Sequence, residues 1–159
     1  MRIGLIIYSL SGHTWKVAEA VRDCLAAAGH EVTLARVEVT GIASRATEDA
    51  PLKTLPSVGG YDAVVFGTPV RGGTVPSPMR RYLEQLPALQ GMKVALLTTH
   101  FFRPDWGSQQ VVAALQGACE AKGAAICGAA DVKWSGFGRG RKIKAAVESL
   151  CRLFQAAAG

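Results

Sequence analysis

The chain has 159 residues, 49% of them hydrophobic and 19% charged, with a formal net charge of +6. That composition is of a globular domain with a core large enough to fold unaided, and it excludes a disordered or fibrous chain. No apolar run is long enough for a helix to cross a bilayer, and the basic residues lack the aromatic interleaving of a nucleic-acid surface, so neither a membrane span nor a nucleic-acid partner is expected.

In chain order, Ile3 to Tyr8 is almost continuously apolar, the pattern of a strand buried on both faces. The stretch is too short and lacks the cleavage site of a secretory signal, which places the protein in the cytoplasm. Val17, Val21, Leu25 and Ala28 then form a helical stripe that ends at Gly29. Glu31 to Val37 alternates as a second strand. Val39 to Gly60 carries Pro51, Pro56, Gly59 and Gly60 and is expected to hold a short helix near Ala50 to Leu55, or only an irregular crossover. Ala63 to Phe66 is the third strand, and Met79, Tyr82, Leu83 and Leu86 mark a helix after Pro76 and Pro78. Val94 to Leu97, running into Thr98 and Thr99, is the fourth strand, followed by a helix carrying Val111, Leu115, Ala118 and Lys122. A weaker fifth strand, Ala124 to Val132, is interrupted by Gly128, and Ile143, Ala146, Val147, Leu150 and Phe154 stripe a final helix. Strands alternating with helices imply right-handed βαβ units in a parallel sheet, three layers thick, within one domain spanning 1–159. Cys24, Cys119, Cys127 and Cys151 form no C-x-x-C pair and read as buried, reduced thiols, with a redox-active thiol as the alternative.

Ligands in doubly wound sheets bind beyond the carboxyl ends of the strands, where strand order reverses, so the turns after strands one, three and four carry the chemistry. The first is Ser9-Leu10-Ser11-Gly12-His13-Thr14. Its hydroxyls surround a glycine at the start of a helix, where unpaired N–H groups and the positive end of the helix dipole suit a phosphate. No lysine or arginine lies in the turn, which argues against a nucleoside triphosphate and for a single phosphate monoester. Alternatively, Ser11 simply caps the helix.

This turn resembles the flavodoxin phosphate-binding pattern [ST]-x-[ST]-G-x-T. Tyr61 to Leu83, YDAVVFGTPVRGGTVPSPMRRYL, is similar to the third strand, flavin loop and following helix of the same family. The resemblance implies a flavodoxin-like α/β fold with a five-stranded parallel sheet in the order 2-1-3-4-5, and FMN as cofactor. It implies that Ser9, Ser11 and Thr14 hold the FMN phosphate with their hydroxyls, and that Leu10, Gly12, His13 and Thr14 do so with their amides. It assigns Thr68, Pro69, Val70, Arg71, Gly72 and Gly73 to one flavin loop, with a glycine peptide opposite the ring's N5. Thr99, His100, Phe101, Phe102 and Trp106 supply the other ring wall. The first of these loops lacks the aromatic residue usual in flavodoxins, so Pro69, Val70 or Arg71 must cover the ring. Its G-T-P-x-R run is closer to the FMN-dependent quinone reductases named after tryptophan-repressor binding, which are generally longer. Arg71, His100 and Arg103, with Asp105 as the loops' only acid, would favour a reduced, anionic flavin and raise its potential.

Three functions follow from this resemblance. Foremost is electron transfer through bound FMN to redox partner proteins. The alternatives are an FMN-dependent NAD(P)H:quinone oxidoreductase, for which a homo-oligomer is common, and a flavin-free interaction scaffold. The segment Gly136-Phe137-Gly138-Arg139-Gly140 reads as a connector, or alternatively as a docking loop or nicotinamide contact.

Overall fold

The computed structural model describes residues 1–101 and 106–158, with only the backbone of Trp106 and of residues 156–158. Five strands, β1 (Arg2–Ile7), β2 (Glu31–Arg36), β3 (Ala63–Pro69), β4 (Lys93–His100) and β5 (Ala125–Lys133), form one parallel sheet in the order β2-β1-β3-β4-β5. Four helices, α1 (His13–Ala27), α2 (Ser77–Glu84), α3 (Trp106–Glu120) and α4 (Arg139–Ala158), make the connections. The expected strand order is therefore observed.

The two sheet faces explain the strand sequences. On one face Ile3, Leu5, Ile7, Val65 and Leu97 pack under α1 and α4 against Val17, Val21, Leu25, Leu150 and Phe154. On the other, Ile6, Val64, Phe66, Val94 and Leu96 pack under α2 and α3 against Met79, Tyr82, Val111 and Leu115. The central strands are covered twice and read as unbroken apolar runs, each fully buried aliphatic side chain contributing about 1.5–3 kcal/mol. β2 and β5 lie at the edges and are only half covered, hence their mixed patterns. The weakness of the fifth strand has a second cause. Val94 pairs with Ile126 and Ala95 with Gly128, so Cys127 is an extra residue in a bulge.

No helix forms at Ala50 to Leu55. Residues 37–60 run as an irregular crossover with a 3-10 turn at Arg45–Thr47 and a bridge between Val39 and Leu52. Pro51 and Pro56 remove the backbone donors a helix would need. The Thr54 hydroxyl instead donates to the Arg36 carbonyl at 2.7 Å and accepts from the Glu38 amide at 2.9 Å, folding the crossover back onto the end of β2. Tyr82 in α2 donates its hydroxyl to the Pro56 carbonyl.

Reduced thiols were expected throughout, but Cys24 on α1 and Cys151 on α4 are joined as a disulfide, with Cα atoms 6.5 Å apart. The sequence gives no sign of this because the pair is 127 residues apart. Cys119 and Cys127 are free; burial pushes the Cys119 thiol up to about 11, so it is an inert core residue. Among the described residues, no helix is long and apolar enough to cross a membrane.

Candidate flavin site

Strand order reverses between β1 and β3, which splays the connections from these strands to opposite faces and opens a crevice at the carboxyl edge of the sheet. The turn Ser9 to Thr14 lies at its head. Gly12 occupies the N-cap of α1 with φ of 88°, and no side chain caps the helix there. Ser11 is exposed, so the alternative in which it serves as an ordinary cap is not what the turn adopts. Among the described residues nothing accepts from the amides of Ser11, Gly12, His13 and Thr14, which leaves the positive end of the helix undischarged. A Cβ placed on Gly12 would meet nothing within 4 Å. The cradle is thus open and lined by donors, as a phosphate monoester requires.

The three hydroxyls of the turn do different things. Ser9 is buried, and its Oγ accepts from the Trp15 amide at 3.3 Å. Thr14 is buried, and its Oγ bonds Thr99 Oγ across the sheet at 2.7 Å, tying the start of α1 to the end of β4. Ser11 alone presents its side chain outward.

Below the turn lies a cavity of about 360 Å³. Leu10, Ser11 and His13 line it from the first turn, Pro69, Val70 and Arg71 from the second, and Thr99, His100 and Phe101 from the third. The structure thus brings residues from all three predicted loops to one place. Phe101 is half-exposed and flanks this space, while Phe102 and the side chain of Trp106 lie outside the described residues. Thr68 is fully buried beneath the loop, its hydroxyl donating to the Pro69 carbonyl at 3.1 Å. Gly72 and Gly73 form the tip of a tight turn closed by reciprocal bonds between Arg71 and Thr74, and do not themselves line the cavity.

The electrostatics differ from the sequence expectation. Arg71 is neutralised by Glu48, whose carboxylate lies 2.6 Å from its guanidinium. Glu48 also accepts from the Tyr8 hydroxyl at 3.2 Å, and burial together with this carboxylate pushes the Tyr8 phenol up to about 12. Arg81 clamps the segment by donating to the carbonyls of Glu48 and Ala50. His100 is held through Nδ1 by Asp131 at 2.9 Å, and Thr98 donates to the same carboxylate at 2.8 Å. Two acids from outside the flavin loops therefore face Arg71 and His100 inside them; Arg103 and Asp105 lie outside the described residues.

Four contributors escaped the sequence reading. Arg45, on the crossover, lines the cavity. Glu48 and Asp131 come from segments read only as connector and weak strand. Trp134, just past β5, stacks on His13 with ring centroids 4.1 Å apart and 11° between planes, and the Arg139 guanidinium lies over the Trp134 ring at 5.0 Å from its centroid. The glycine-rich connector therefore borders the phosphate turn. An aromatic residue at a strand's carboxyl end was the available signal for Trp134; for Arg45 and Glu48 there was none.

Burial, and then the charges of Arg139 and Lys16, lower the His13 pKa below the ordinary 6.5; burial and the terminal ammonium do the same to His30. Both folded values are depressed, so the stability held in neutral imidazoles is complete above about 6.5 and is lost as pH falls through the folded values. The apo protein should melt at a lower temperature at about pH 5.5 than at about pH 7.5. His13→Gln should shrink that difference, and a melting point insensitive to pH over this range would contradict it.

A doubly wound parallel sheet in the order β2-β1-β3-β4-β5, with an open anion cradle and a crevice at its switch point, has the architecture of a flavodoxin-like protein. Consistent with this, the family model for NADPH-dependent FMN reductase matches residues 1–133, and the chain belongs to that family, with FMN as its cofactor. A curated relative, NAD(P)H dehydrogenase (quinone) from Sinorhizobium fredii, is 36% identical over 95 residues, covering 55% of this chain and 48% of the relative. The chain thus matches about half the length of that protein. Two solved structures share the fold. Oxidised Flavodoxin 2 from Bacillus cereus superposes with a TM-score of 0.73 at 19% identity over 99% of both chains. The flavodoxin, WrbA-like protein from Agrobacterium tumefaciens superposes with a TM-score of 0.72 at 18% identity, over 99% of this chain and 97% of the other.

Proposed function

We propose that the chain is an FMN-dependent NAD(P)H oxidoreductase with a quinone as acceptor, acting in the cytoplasm as one flavodoxin-like unit spanning 1–159. FMN, when bound, supplies hydride acceptance from a nicotinamide and delivery of the electrons to an acceptor. The chain's own residues do the rest. The amides of Ser11 to Thr14 and the hydroxyls of Ser9 and Ser11 hold the phosphate. Pro69, Val70 and Phe101 exclude water from the ring faces. The Thr14–Thr99 bond fixes the first and third turns relative to each other. Asp131 holds His100 by Nδ1 at the cavity wall. Arg45 at the rim, which pairs with no acid among the described residues, offers its guanidinium to a phosphorylated dinucleotide.

The observation that carries this reading is the crevice: it is built from all three carboxyl-edge turns, and a cation rather than an acid stands at its rim. Family membership supports it, and the quinone comes from the curated relative. With FMN loaded, NADPH and 1,4-benzoquinone together should give steady NADPH oxidation that neither supports alone. An FMN-loaded protein that accepts electrons from a redox protein but never turns over NADPH or NADH would replace this reading with electron transfer between proteins.

A further inference from the structure

A second and larger cavity, about 930 Å³, runs between α2 and α3 and starts at the flavin loop. Its walls are Val75, Pro76 and Leu83 on one side and Ala114, Leu115 and Ala118 on the other. Arg71 lines both this groove and the flavin crevice, so the two meet at one loop. Between them stands the turn at Gly72-Gly73. A Cβ on Gly72 would meet nothing within 4 Å, so the outer side of the turn is open, while Gly73 lies against Gly107 of α3, where an added Cβ would stand 3.6 Å from it.

The charges around the groove are engaged with the protein itself. Arg71 pairs with Glu48 at 2.6 Å, Arg80 with Glu84 at 3.7 Å, and the Lys122 ammonium donates to the Leu86 carbonyl at 2.7 Å. An ionic occupant would have to break one of these pairs; a neutral, apolar one would not. The α3 wall from Ala114 to Glu120 extends about 9 Å at 1.5 Å per residue and continues into the turn at Ala121 and Lys122, enough for a medium alkyl chain. Its small side chains leave the width for one.

We infer that this groove takes the apolar tail of a quinone whose ring lies in the flavin crevice, so that the preferred acceptor is a tailed, lipid-type quinone rather than a bare ring. The inference rests on the proposed quinone reduction and names its substrate class. Burying several methylenes at ~0.8 kcal/mol each should lower KM by at least about tenfold.

The test compares decyl-substituted benzoquinone with unsubstituted benzoquinone on the FMN-loaded protein, and measures decyl alcohol binding to the apo form by calorimetry. Ala114→Trp, at an exposed position of α3, and Ala121→Trp, exposed in the turn that follows it, would block the groove without opening the core. The inference predicts a KM at least about tenfold lower for the decyl quinone. It predicts that both variants lose this preference and the decyl alcohol heat, while keeping wild-type kcat/KM on benzoquinone. Turnover of both quinones with equal KM, or decyl alcohol binding undiminished in both variants, would overturn the groove assignment and leave the functional reading standing. Absence of turnover with either quinone would overturn the functional reading itself. A dimer that Ala114→Trp dissociates, together with no decyl alcohol binding, would give the groove to a second copy of the chain and overturn the inference.

Discussion

Replacing Gly12 with alanine should weaken FMN binding by about 100-fold or more, while lowering the stability of the apo fold by only about 1–2 kcal/mol. Gly12 has a φ of 88°, where an L side chain is strained, yet a Cβ there would touch nothing. The fold therefore pays only for the backbone conformation, whether the alanine holds it or relaxes toward negative φ. Relaxation turns the amides of Gly12 and His13 away from the point where the unpaired N–H groups of α1 converge. Each charge-assisted bond to a phosphate contributes about 1.5–3 kcal/mol, so losing two accounts for the expected fall. The hydroxyls offer a less clean experiment, because Thr14 is buried against Thr99 and its removal perturbs the sheet as well as the cradle. Flavin fluorescence titration and thermal melting of the apo protein measure the two effects separately. Comparable losses in both would reduce the turn to an ordinary helix start.

Glu48→Gln should raise the two-electron midpoint potential of the bound flavin, by roughly 30 mV for each ~1.4 kcal/mol by which the freed Arg71 favours the reduced anion. The substitution keeps an acceptor for Arg71 and Tyr8 but removes the charge that now offsets the guanidinium at 2.6 Å. The two side chains are 27% and 13% exposed, so solvent screens the pair only in part. Stability should fall by about 1–2 kcal/mol for the partly buried cation left without its counter-charge. The Tyr8 phenol should move down from about 12 toward its ordinary value, because burial stays while the neighbouring carboxylate goes. Combining Glu48→Gln with Arg71→Gln should return the potential to near wild type. A potential unmoved by Glu48→Gln would mean that Arg71 does not act on the ring.

The potential illustrates where the sequence stopped being legible. Arg71 and His100 could be placed in the flavin loops because each stands at or just past the carboxyl end of a strand whose apolar run is unmistakable. Their counter-charges could not. Glu48 sits in a crossover without periodicity, and only the fold brings it to Arg71. Asp131 lies in an edge strand blurred by the bulge at Cys127. The strands and the phosphate turn were readable because burial on both faces and a glycine at a helix start leave local marks, whereas the strand order followed only from the flavodoxin resemblance. Tertiary pairing leaves none, which is also why the Cys24–Cys151 link and the His13–Trp134 stack came only with the structure. The short helix considered near Ala50 gave way to side-chain bonds from Thr54, a competition that prolines in the segment decided.

Comparing FMN with riboflavin, which has the same ring but no phosphate, probes the cradle between β1 and α1 most directly. Titration of the apo protein with each should show FMN bound at least about 100-fold more tightly, the contribution of two or more charge-assisted bonds at the head of α1. Equal affinities for the two flavins would mean that the turn at Gly12 does not seat the phosphate, and the flavin site described here would be wrong.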